Sequence, residues 1–540
     1  MRSLITLALM LLVAVASAMS AAGSRLLVIM DDVVADKATY SKFIADLEGR
    51  GFSITYETPK SEHLNLFHLG ERTYDHLLLL PTKAKGLGPN LTANTLLNFL
   101  NADGNILVTL TGTQAVPTAL NSLLLELDIQ LSTDRLGLVV DHFNYDVLSA
   151  PDQHDVLALR LPGPIRSGSG DFFGRDQSVG RLEREGQTAE SARDLLRDQS
   201  ASGGRGAPDS SQGAASSHQV GEGVAGAIPP ISKGSGDSRG SKGSGGAGGV
   251  SDQSVDGLLA FPRGCGQTLG QSPLLTPVLR APSTAYSYNP KEQGEVLDDL
   301  FASGAQLSLV STLQARNSAR FTVVGSAEML SDKWFDAKVK KAGEKDSVKT
   351  LNRDFAKAVS GWTFKETGVL RVNWIEHHLN EVGAGNETNP KIYRIKNDVT
   401  YSISLSEFSW DHWVPFIPPV GDELQLEFSM LSPFYRLRLN PTAYHENSAT
   451  YSVSFKLPDQ HGIFNFLVNY KRPFFTNVFE KNTVSVRHFA HDEWPRSFVI
   501  SGAWPWIAGI GATITGWLGF CAVWLYSAPP KATKESKKTR

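Results

Sequence analysis

Short apolar runs alternate with segments of helical periodicity through the first part of the chain. Residues 25–30 (RLLVIM) stop at Asp31 and Asp32, and residues 37–50 then repeat apolar positions every three or four residues. The predicted strands are 25–30, 52–56, 76–81, 105–110 and 136–140, and the predicted helices are 37–50, 91–100 and 118–127. Strands that alternate with helices predict a doubly wound parallel sheet.

A Gly- and Ser-rich stretch, 167–253, interrupts this pattern. Large aromatic residues nearly vanish after Phe173 and no period survives, so the stretch cannot bury enough apolar surface to offset its ordering entropy. Strand-like patterns resume on both sides, at 156–161 and 258–261. Further strands are predicted at 307–313 and 320–324, with a helix at 346–360. We therefore predict one α/β region, 19–166 and 254–366, that carries a disordered insertion.

From about residue 367 the apolar positions alternate with a period of two, and Pro, Gly, Asn and Asp punctuate the runs. This pattern predicts short antiparallel strands. The predicted strands are 400–408, 423–431, 434–439, 450–457, 463–470 and 483–489. Six such strands indicate a β-sandwich over 367–500.

Both ends of the chain carry membrane-targeting patterns. Arg2, the apolar run 4–15 and the small residues 16–18 predict a secretory signal peptide over 1–18. Residues 503–526 are nearly all apolar or small, and as a helix they reach about 36 Å, enough to cross a bilayer.

The predicted span and the residues that flank it indicate how the helix packs against other helices and in which direction the chain crosses the membrane. Its glycines let another helix approach closely; they are Gly509, Gly511, Gly516 and Gly519. The basic tail 527–540 predicts a cytoplasmic end, and hence a single-pass type I protein whose bulk is lumenal.

Charge and cysteine content narrow the class of protein. A formal net charge of −3 does not indicate a nucleic-acid partner. The chain has 2 cysteines, and because Cys521 lies in the predicted span, no disulfide can form within the lumenal part. The sequons at Asn90 and Asn386 are candidate N-glycosylation sites.

Candidate catalytic groups are few. Cys265 is followed by Gly and Pro residues rather than by the helix that would lower a thiol pKa, which favours a small buried residue over a nucleophile. His488 with His491, and Glu376 with two following histidines, match no zinc pattern, so no metal or other cofactor is predicted.

Polar side chains at strand ends are the best candidates for a ligand surface. In open α/β sheets ligands bind beyond the carboxyl ends of the strands, where the sequence places Asp31, Asp32, Asp141 and His142. Acidic residues also form turns, and that interpretation stays open for all three aspartates.

A collinear set of segments resembles the non-catalytic subunit beta family of oligosaccharyltransferase. These segments are YDHLLLLP (74–81), VVDHFNYD (139–146), STAYSYNP (283–290), LQARNSAR (313–320), GVLRVNWIEHH (368–378), YRIKNDVTYSISLSEF (393–408), EFSMLSPFYRLRL (427–439) and FKLPDQHGIFNFLVNYKR (455–472). The insertion 167–253 departs from the family's pattern.

The resemblance implies a structural subunit of the endoplasmic-reticulum complex that transfers a preassembled glycan from dolichyl diphosphate to Asn in N-x-[ST]. It implies a lumenal fold similar to amidotransferase-like α/β proteins without the catalytic cysteine. The implied partners are a catalytic multi-span subunit, ribophorin-type subunits, a small defender-against-death-type subunit, the membrane and dolichyl-linked oligosaccharide.

Two further features bear on this interpretation. Lys537 and Lys538 stand fourth and third from the C-terminus, a spacing that resembles the dilysine retrieval signal of endoplasmic-reticulum membrane proteins. Two other functions stay open from the sequence, a membrane-anchored glycan-binding receptor and an amidotransferase-like hydrolase that would depend on Cys265.

Overall fold

The computed structural model describes residues 20–132, 137–160, 257–288, 301–381, 387–419, 421–494, 503–526 and 531. The helices are α1 Val33–Thr39, α2 Ser41–Gly49, α3 Ala93–Asn101, α4 Thr118–Glu126, α5 Asp332–Phe335, α6 Asn352–Thr363 and α7 Trp504–Leu525, with short 3-10 helices at Gly304–Gln306 and Ala327–Leu330.

The first α/β region contains strands β1 to β17. They are β1 Arg25–Ile29, β2 Ser53–Glu57, β3 Phe67–His68, β4 Glu71–Arg72, β5 His76–Leu79, β6 Asn105–Thr109, β7 Ile129–Leu131, β8 Leu138–Val140, β9 Val156–Arg160, β10 Leu258–Pro262, β11 Gln267–Leu269, β12 Leu275–Arg280, β13 Tyr286–Tyr288, β14 Ser308–Gln314, β15 Arg320–Val324, β16 Lys338–Val339 and β17 Val348–Lys349.

A nine-stranded sheet in the order β2-β1-β5-β6-β15-β14-β11-β7, with β12 on β14, organises this region. The five strands from β2 to β15 are parallel, as predicted. The prediction of a wholly parallel sheet is wrong beyond β15, because β14 and β15 are joined by a short turn and such a hairpin is antiparallel. Strand β8 was also expected in this sheet, but it pairs with β13 in a separate two-stranded ladder.

Alternate residues of the parallel strands face two cores. Leu26 and Val28 of β1 pack in the core covered by α2 and α6, whereas Leu27 and Ile29 face the core covered by α3 and α4. Both faces are thereby shielded from water, as a parallel sheet requires.

Two helix boundaries differ from prediction. The single helix predicted over 37–50 is two helices, α1 and α2, which are separated at Tyr40. The first begins at Val33, because the Asp32 carboxylate accepts hydrogen bonds from the backbone N–H groups of Val34 and Ala35. The predicted helix 346–360 begins later, at Asn352, because Val348 and Lys349 pair with β16 as a strand.

The second region is a sandwich of two five-stranded sheets. Its strands are β18 Thr367–Leu379, β19 Ile392–Arg394, β20 Asp398–Ser409, β21 His412–Pro415, β22 Gln425–Ser429, β23 Pro433–Arg438, β24 Asn440–Tyr444, β25 Ala449–Lys456, β26 Gly462–Tyr470 and β27 Val478–Arg487. One sheet has the order β18-β20-β25-β24 with β21 on β20, and the other has the order β19-β27-β26-β22-β23.

Aromatic residues from both sheets fill the space between them, for example Phe428 stacked on Phe464 with ring centroids 4.7 Å apart. All six predicted strands of this part are present. Strand β18 escaped prediction because irregularities in its pairing, between Thr367 and Val369 and between Val372 and Trp374, break the alternation along its sequence.

Helix α7 is apolar along its length, and none of its residues is buried by the rest of the described chain. It is long and apolar enough to cross a membrane. An exposed apolar surface of this size is unfavourable in water, so the helix requires an apolar environment outside the protein.

Candidate functional site

The carboxyl edge of the parallel strands brings Asp31 next to the end of β5. Asp31 follows β1, and its carboxylate accepts a hydrogen bond from the backbone N–H of Lys83 at 2.5 Å. Asp32, the next residue, caps α1 by accepting hydrogen bonds from Val34 N at 3.0 Å and Ala35 N at 3.2 Å. Both carboxylates thus accept hydrogen bonds from nearby backbone N–H groups at the carboxyl edge of the sheet.

Asp141 is buried, and its hydrogen bonds connect two loops. Its carboxylate accepts hydrogen bonds from the backbone of Phe143, from the backbone and side chain of Asn144, and from Thr284 Oγ1 at 2.7 Å. Burial raises the pKa of Asp141, but these hydrogen bonds to the charged form outweigh burial and hold the pKa below its usual value. Asp141 therefore stays ionised and structural at neutral pH.

His142 lies at the surface within a cluster of rings. Its Nδ1 is 2.5 Å from His154 Nδ1, and its Nε2 is 2.9 Å from the hydroxyl of Tyr286. The ring of Tyr145 packs on His154 with centroids 4.0 Å apart, and Phe143 beside them is 68% exposed. These side chains form an exposed aromatic edge, defined as His142, Phe143, Tyr145, His154 and Tyr286.

The four predicted ligand residues lie on two different sheets. Asp31 and Asp32 follow a strand of the nine-stranded sheet, whereas Asp141 and His142 follow β8 of the separate ladder. Within the described residues, no hydrogen bond or ion pair joins the two pairs.

A small cavity of about 20 Å³ lies between the carboxyl ends of β5 and β6. Thr82 Oγ1 and Gln114 Oε1 line it, and both are buried atoms without a hydrogen-bond partner among the described residues. The volume suits about one water molecule.

Cys265 is buried between β10 and β11 and belongs to an apolar core. Its Sγ is 3.5 Å from the carbonyl oxygen of Gly325, and burial raises the pKa of the thiol to about 12. The thiolate, which is the nucleophilic form, is therefore scarce at neutral pH.

The histidines considered as metal ligands are separated by the fold. His377 faces the sandwich core, hydrogen-bonded to the Tyr393 hydroxyl at 2.8 Å, and burial lowers its pKa to about 4. Glu376 and His378 lie on the opposite face of β18, and the ring of His488 packs against His461. Over the described ranges, no three His, Cys, Asp or Glu side chains converge in a geometry that could hold a metal ion.

The joint between the α/β region and the sandwich is built at the amino edge of the parallel strands. Arg320, the first residue of β15, is fully buried there. Its guanidinium donates to the carbonyl oxygens of Trp362 at 2.5 Å, Thr367 at 2.7 Å and Gly368 at 2.8 Å. Burial lowers the pKa of Arg320 to about 9, so the side chain stays charged at neutral pH.

A loop of the sandwich, residues 471–477, completes the joint. Trp362 Nε1 donates to the Phe474 carbonyl at 2.9 Å, Gln314 Nε2 to the Phe475 carbonyl at 2.6 Å, and Thr476 Oγ1 accepts from Leu370 N at 2.7 Å. Contacts from α6, β14 and β18 therefore converge on one loop.

A buried histidine, His76, also lies at the amino edge of the parallel strands, as the first residue of β5. The ring nitrogens of His76 lie within hydrogen-bond distance of Ser20 Oγ, Gly23 O and Asn105 Nδ2. Burial lowers the pKa of His76 to about 4, and the ring is neutral at pH 7.

Sequence reasoning did not single out Arg320, Gln314, Trp362 or the aromatic edge beyond His142. Each depends on partners distant in the chain, which no short pattern specifies, although Gln314, Phe143, Tyr145 and Tyr286 lie in segments that resemble the subunit beta family. Arg320 does lie in LQARNSAR, one of the segments that resemble the subunit beta family, and that is the one sequence signal for it.

Several predicted features fall outside the described residues. They are the signal peptide 1–18, the insertion 167–253, the sequon residue Asn386, and the tail lysines Lys537 and Lys538.

Comparison with known families finds two matching domain models. The model described as "OST48, N-terminal domain" matches residues 17–191 and 247–366. The model described as "OST48 middle domain" matches residues 377–528.

Curated relatives align with nearly the whole chain. The 48 kDa subunit of dolichyl-diphosphooligosaccharide–protein glycosyltransferase from Danio rerio is 30% identical over 490 residues, covering 90% of this chain and 88% of that protein. The subunit wbp1 of the same enzyme from Schizosaccharomyces pombe is 28% identical over 505 residues, covering 93% and 92%. The 48 kDa subunit from Caenorhabditis elegans is 28% identical over 511 residues, covering 94% and 93%.

Proposed function

Because this chain belongs to the OST48 family, we propose that it is a subunit of the oligosaccharyltransferase complex that positions other components and leaves glycan transfer to a separate subunit. Its relatives are named as subunits of the enzyme that acts on dolichyl-diphosphooligosaccharide and protein. Membership of that complex makes this an endoplasmic-reticulum protein of N-linked glycosylation.

One observation carries the positional role. The buried Arg320 guanidinium bonds carbonyl oxygens on both sides of the joint, so the α/β region and the sandwich are held in a fixed relation. A rigid two-part lumenal body suits a scaffold, since reactants held in a productive geometry react faster.

The case against catalysis by this chain rests on Cys265. An amidotransferase-like hydrolase needs an accessible thiolate, whereas this thiol is buried and its pKa is raised to about 12. We therefore favour an accessory role over a hydrolase.

Type I orientation is part of the proposal. A cleaved signal over 1–18, one span at α7 and a basic tail place the two folded regions in the lumen and the tail in the cytosol. Lys537 and Lys538 would then be accessible to a cytosolic retrieval receptor. Replacing both with Ser should increase surface exposure of a chain that is expressed in excess over its partners, whereas Lys531→Ser with Lys534→Ser should not.

We propose that this chain contacts dolichyl-linked oligosaccharide through the aromatic edge. Asp31, Asp32 and Asp141 already bind protein groups, whereas His142 and its neighbouring rings lie at the surface and can pack against sugar rings. His142→Ala should then weaken retention of oligomannose glycans, and His63→Ala, an exposed control, should not.

Asn90 is proposed to carry an N-glycan. It is half-buried, and Thr92 of its sequon also caps α3 by accepting a hydrogen bond from Thr95 N at 3.2 Å. Asn90→Gln should remove one glycosidase-sensitive gel shift, and Thr92→Ser should keep both the shift and the cap. An unchanged shift in Asn90→Gln would show that this sequon is not used.

The partners proposed are the catalytic multi-span subunit, the ribophorin-type subunits and the small defender-against-death-type subunit. Purification of the tagged full-length chain in mild detergent, followed by mass spectrometry, should recover them. Depletion of the chain should leave sequons of secreted glycoproteins unfilled. A chain that purifies alone, with glycosylation unaffected by its depletion, would refute the proposed function.

A further inference from the structure

The outer face of one sandwich sheet carries exposed apolar side chains in neighbouring strands. Ile392 of β19 and Ile463 of β26 flank Ser485 of β27, because both pair with that residue. Each isoleucine is 63% exposed. Residues that pair directly in a sheet share one face, so the two isoleucines stand in line across the outer surface of this sheet.

The hairpin between β22 and β23 extends this line. The last pair of the β22–β26 ladder is Ser429 with Asn465, and two further steps of the same antiparallel register bring Leu431 beside Ile463. Leu431 is fully exposed. The three apolar residues are called the apolar row, which consists of Ile392, Ile463 and Leu431.

The apolar row lies at the end of the sandwich from which the chain leaves for α7. Ser485 is near the end of β27, and the loop that follows this strand is held against the sandwich, because the Arg394 guanidinium lies over the Phe489 ring. Trp494 is 53% exposed and packs on Phe489 with ring centroids 5.2 Å apart. Strand β27 begins beside the loop 471–477 of the joint, so the row and the joint lie at opposite ends of the sandwich.

The chain keeps the end with the apolar row close to the bilayer. Ten peptide units separate Trp494 from Trp504, the first residue of α7, and fully extended they span roughly 35 Å. Strand β27 adds 10 residues, or roughly 33 Å, between this end and the joint. The apolar row is therefore within reach of the membrane surface, whereas the joint lies a strand length further along the sandwich.

Charged side chains at this end of the sandwich neutralise one another. Three ion pairs lie there, Arg394 with Glu381 at 2.9 Å, Arg487 with Glu493 at 2.7 Å and Lys396 with Asp459 at 2.8 Å. A charge that is already paired loses less on approaching an apolar phase than an isolated charge does. This end therefore suits contact with a bilayer through apolar insertion rather than through attraction to anionic lipids.

We propose that the apolar row inserts into the bilayer surface and gives the chain a second membrane contact beside α7. Leu431 enters deepest because it lies at the tip of a hairpin, and Trp494 lies at the level of the lipid headgroups, where amphipathic rings are favoured. Single exposed apolar residues are ordinary, but three in line at the tethered end form a patch typical of an interaction surface. This contact depends on α7 crossing the membrane and is independent of the scaffold role.

Fluorescence quenching in nanodiscs tests the proposal. The full-length chain with Cys521→Ser, in which the buried Cys265 is the one remaining native thiol, is assembled into phosphatidylcholine nanodiscs. A nitrobenzoxadiazole probe is attached after Leu431→Cys or, separately, after Ile463→Cys. We expect blue-shifted emission that is quenched by phosphatidylcholine spin-labelled in its acyl chain. The quenching should be equal at low and high salt, because salt screens charges and not apolar insertion.

Phe479→Cys is the matched control. Phe479 is 57% exposed on the same outer face, but it lies six residues before Ser485 in β27, roughly 20 Å nearer the joint. A probe at this position should emit as in water and escape quenching. Addition of Leu431→Asp to Ile463→Cys should remove most of the quenching at position 463 and leave the urea midpoint unchanged, because Leu431 is exposed.

Several outcomes would overturn the proposal. They are no quenching at positions 431 and 463, equal quenching at position 479, or quenching at position 463 that survives Leu431→Asp. The same probes in the purified complex separate lipid from protein. Quenching that is present in the isolated chain but lost in the complex, with position 431 cross-linking to another subunit, would assign the apolar row to a protein partner.

Co-purification of the other subunits with the wild-type chain reports on the proposed function separately. A chain that assembles but whose apolar row stays out of the lipid removes this inference and leaves the proposed function intact.

Discussion

Single side chains at the amino edge of the sheet combine burial with charge or with a shifted pKa. Arg320 is buried and charged, and His76 is buried and neutral. The Arg320 guanidinium donates to three carbonyl oxygens, although its buried Nε has no partner among the described residues, and the His76 ring lies within hydrogen-bond distance of groups from distant parts of the chain. Each side chain therefore makes stability depend on the joint staying closed.

Arg320→Met should lower the free energy of unfolding by at least about 3 kcal/mol, since three buried carbonyl oxygens lose their donor. Arg280→Met is the matched control, because Arg280 is exposed and donates to one carbonyl oxygen, that of Ala305; its cost should stay below about 1 kcal/mol. Urea unfolding followed by tryptophan fluorescence measures both. Equal effects of the two substitutions would show that the joint is not held by Arg320.

His76 should make the protein less stable in mild acid. Its folded pKa of about 4 lies below the usual value of 6.5, so between those values the unfolded state binds a proton that the native state excludes. Stability from this group is complete above pH 6.5 and falls as pH drops toward 4. From pH 7 to pH 5 the loss is about 2 kcal/mol.

Urea midpoints of the wild type and of His76→Gln at pH 7 and pH 5 measure this dependence. His76→Gln should reduce the pH dependence, and His377 should leave a residual slope of the same sign, because its pKa is also lowered to about 4. His63→Gln, an exposed control, should keep the wild-type slope. An unchanged slope in His76→Gln would contradict the assignment.

Among the elements, α7 combines an apolar surface with small residues on one side. A groove on the helix is lined by residues that include Gly509 and Thr513. With about 100° between successive residues, Gly509 and Gly516 fall about 20° apart, whereas Gly511 lies about 140° from Gly516. The four glycines predicted for packing therefore do not share one face.

Gly516→Leu should weaken assembly of the complex more than folding of the lumenal regions, because it fills the side where Gly509 and Thr513 let a partner helix approach. Gly511→Leu adds the same volume on the other side of the helix. Quantification of co-purified subunits measures both. A larger loss for Gly511→Leu would place the interface on the opposite face, and no loss for either would exclude α7 as a packing surface.

At the scale of the whole molecule, the insertion leaves and rejoins the fold at adjacent points. Strands β9 and β10 flank it and pair antiparallel, with Arg160 opposite Leu258. The described ends of the chain on the two sides of the insertion therefore lie next to each other. The N-terminal domain model matches residues 17–191 and 247–366, so the gap in its match, 192–246, lies inside the predicted insertion.

Replacing residues 167–253 with a short Gly-Ser linker should therefore preserve folding and complex assembly. Shortening the loop should stabilise the α/β region by roughly 1 to 2 kcal/mol, since loop-closure entropy grows with the logarithm of length. Urea unfolding and co-purification measure the two effects. A shortened chain that fails to assemble would show that the insertion itself binds a partner.

The sequence by itself determined the local elements, the apolar span and the family. Period-two and period-3.6 patterns report which face of an element is buried, and that information is local. It was therefore enough for six of the ten described strands of the sandwich and for the parallel half of the sheet. It also left open a turn-forming role for Asp32, and the structure shows that residue capping α1.

Only the tertiary structure decided which elements meet. Thr284 reaches Asp141 across 143 positions, and Gln314 reaches Phe475 across 161. Such contacts depend on the packing of whole layers, which no short window of sequence records. The same reason explains why Asp31 and Asp141 lie in different sheets.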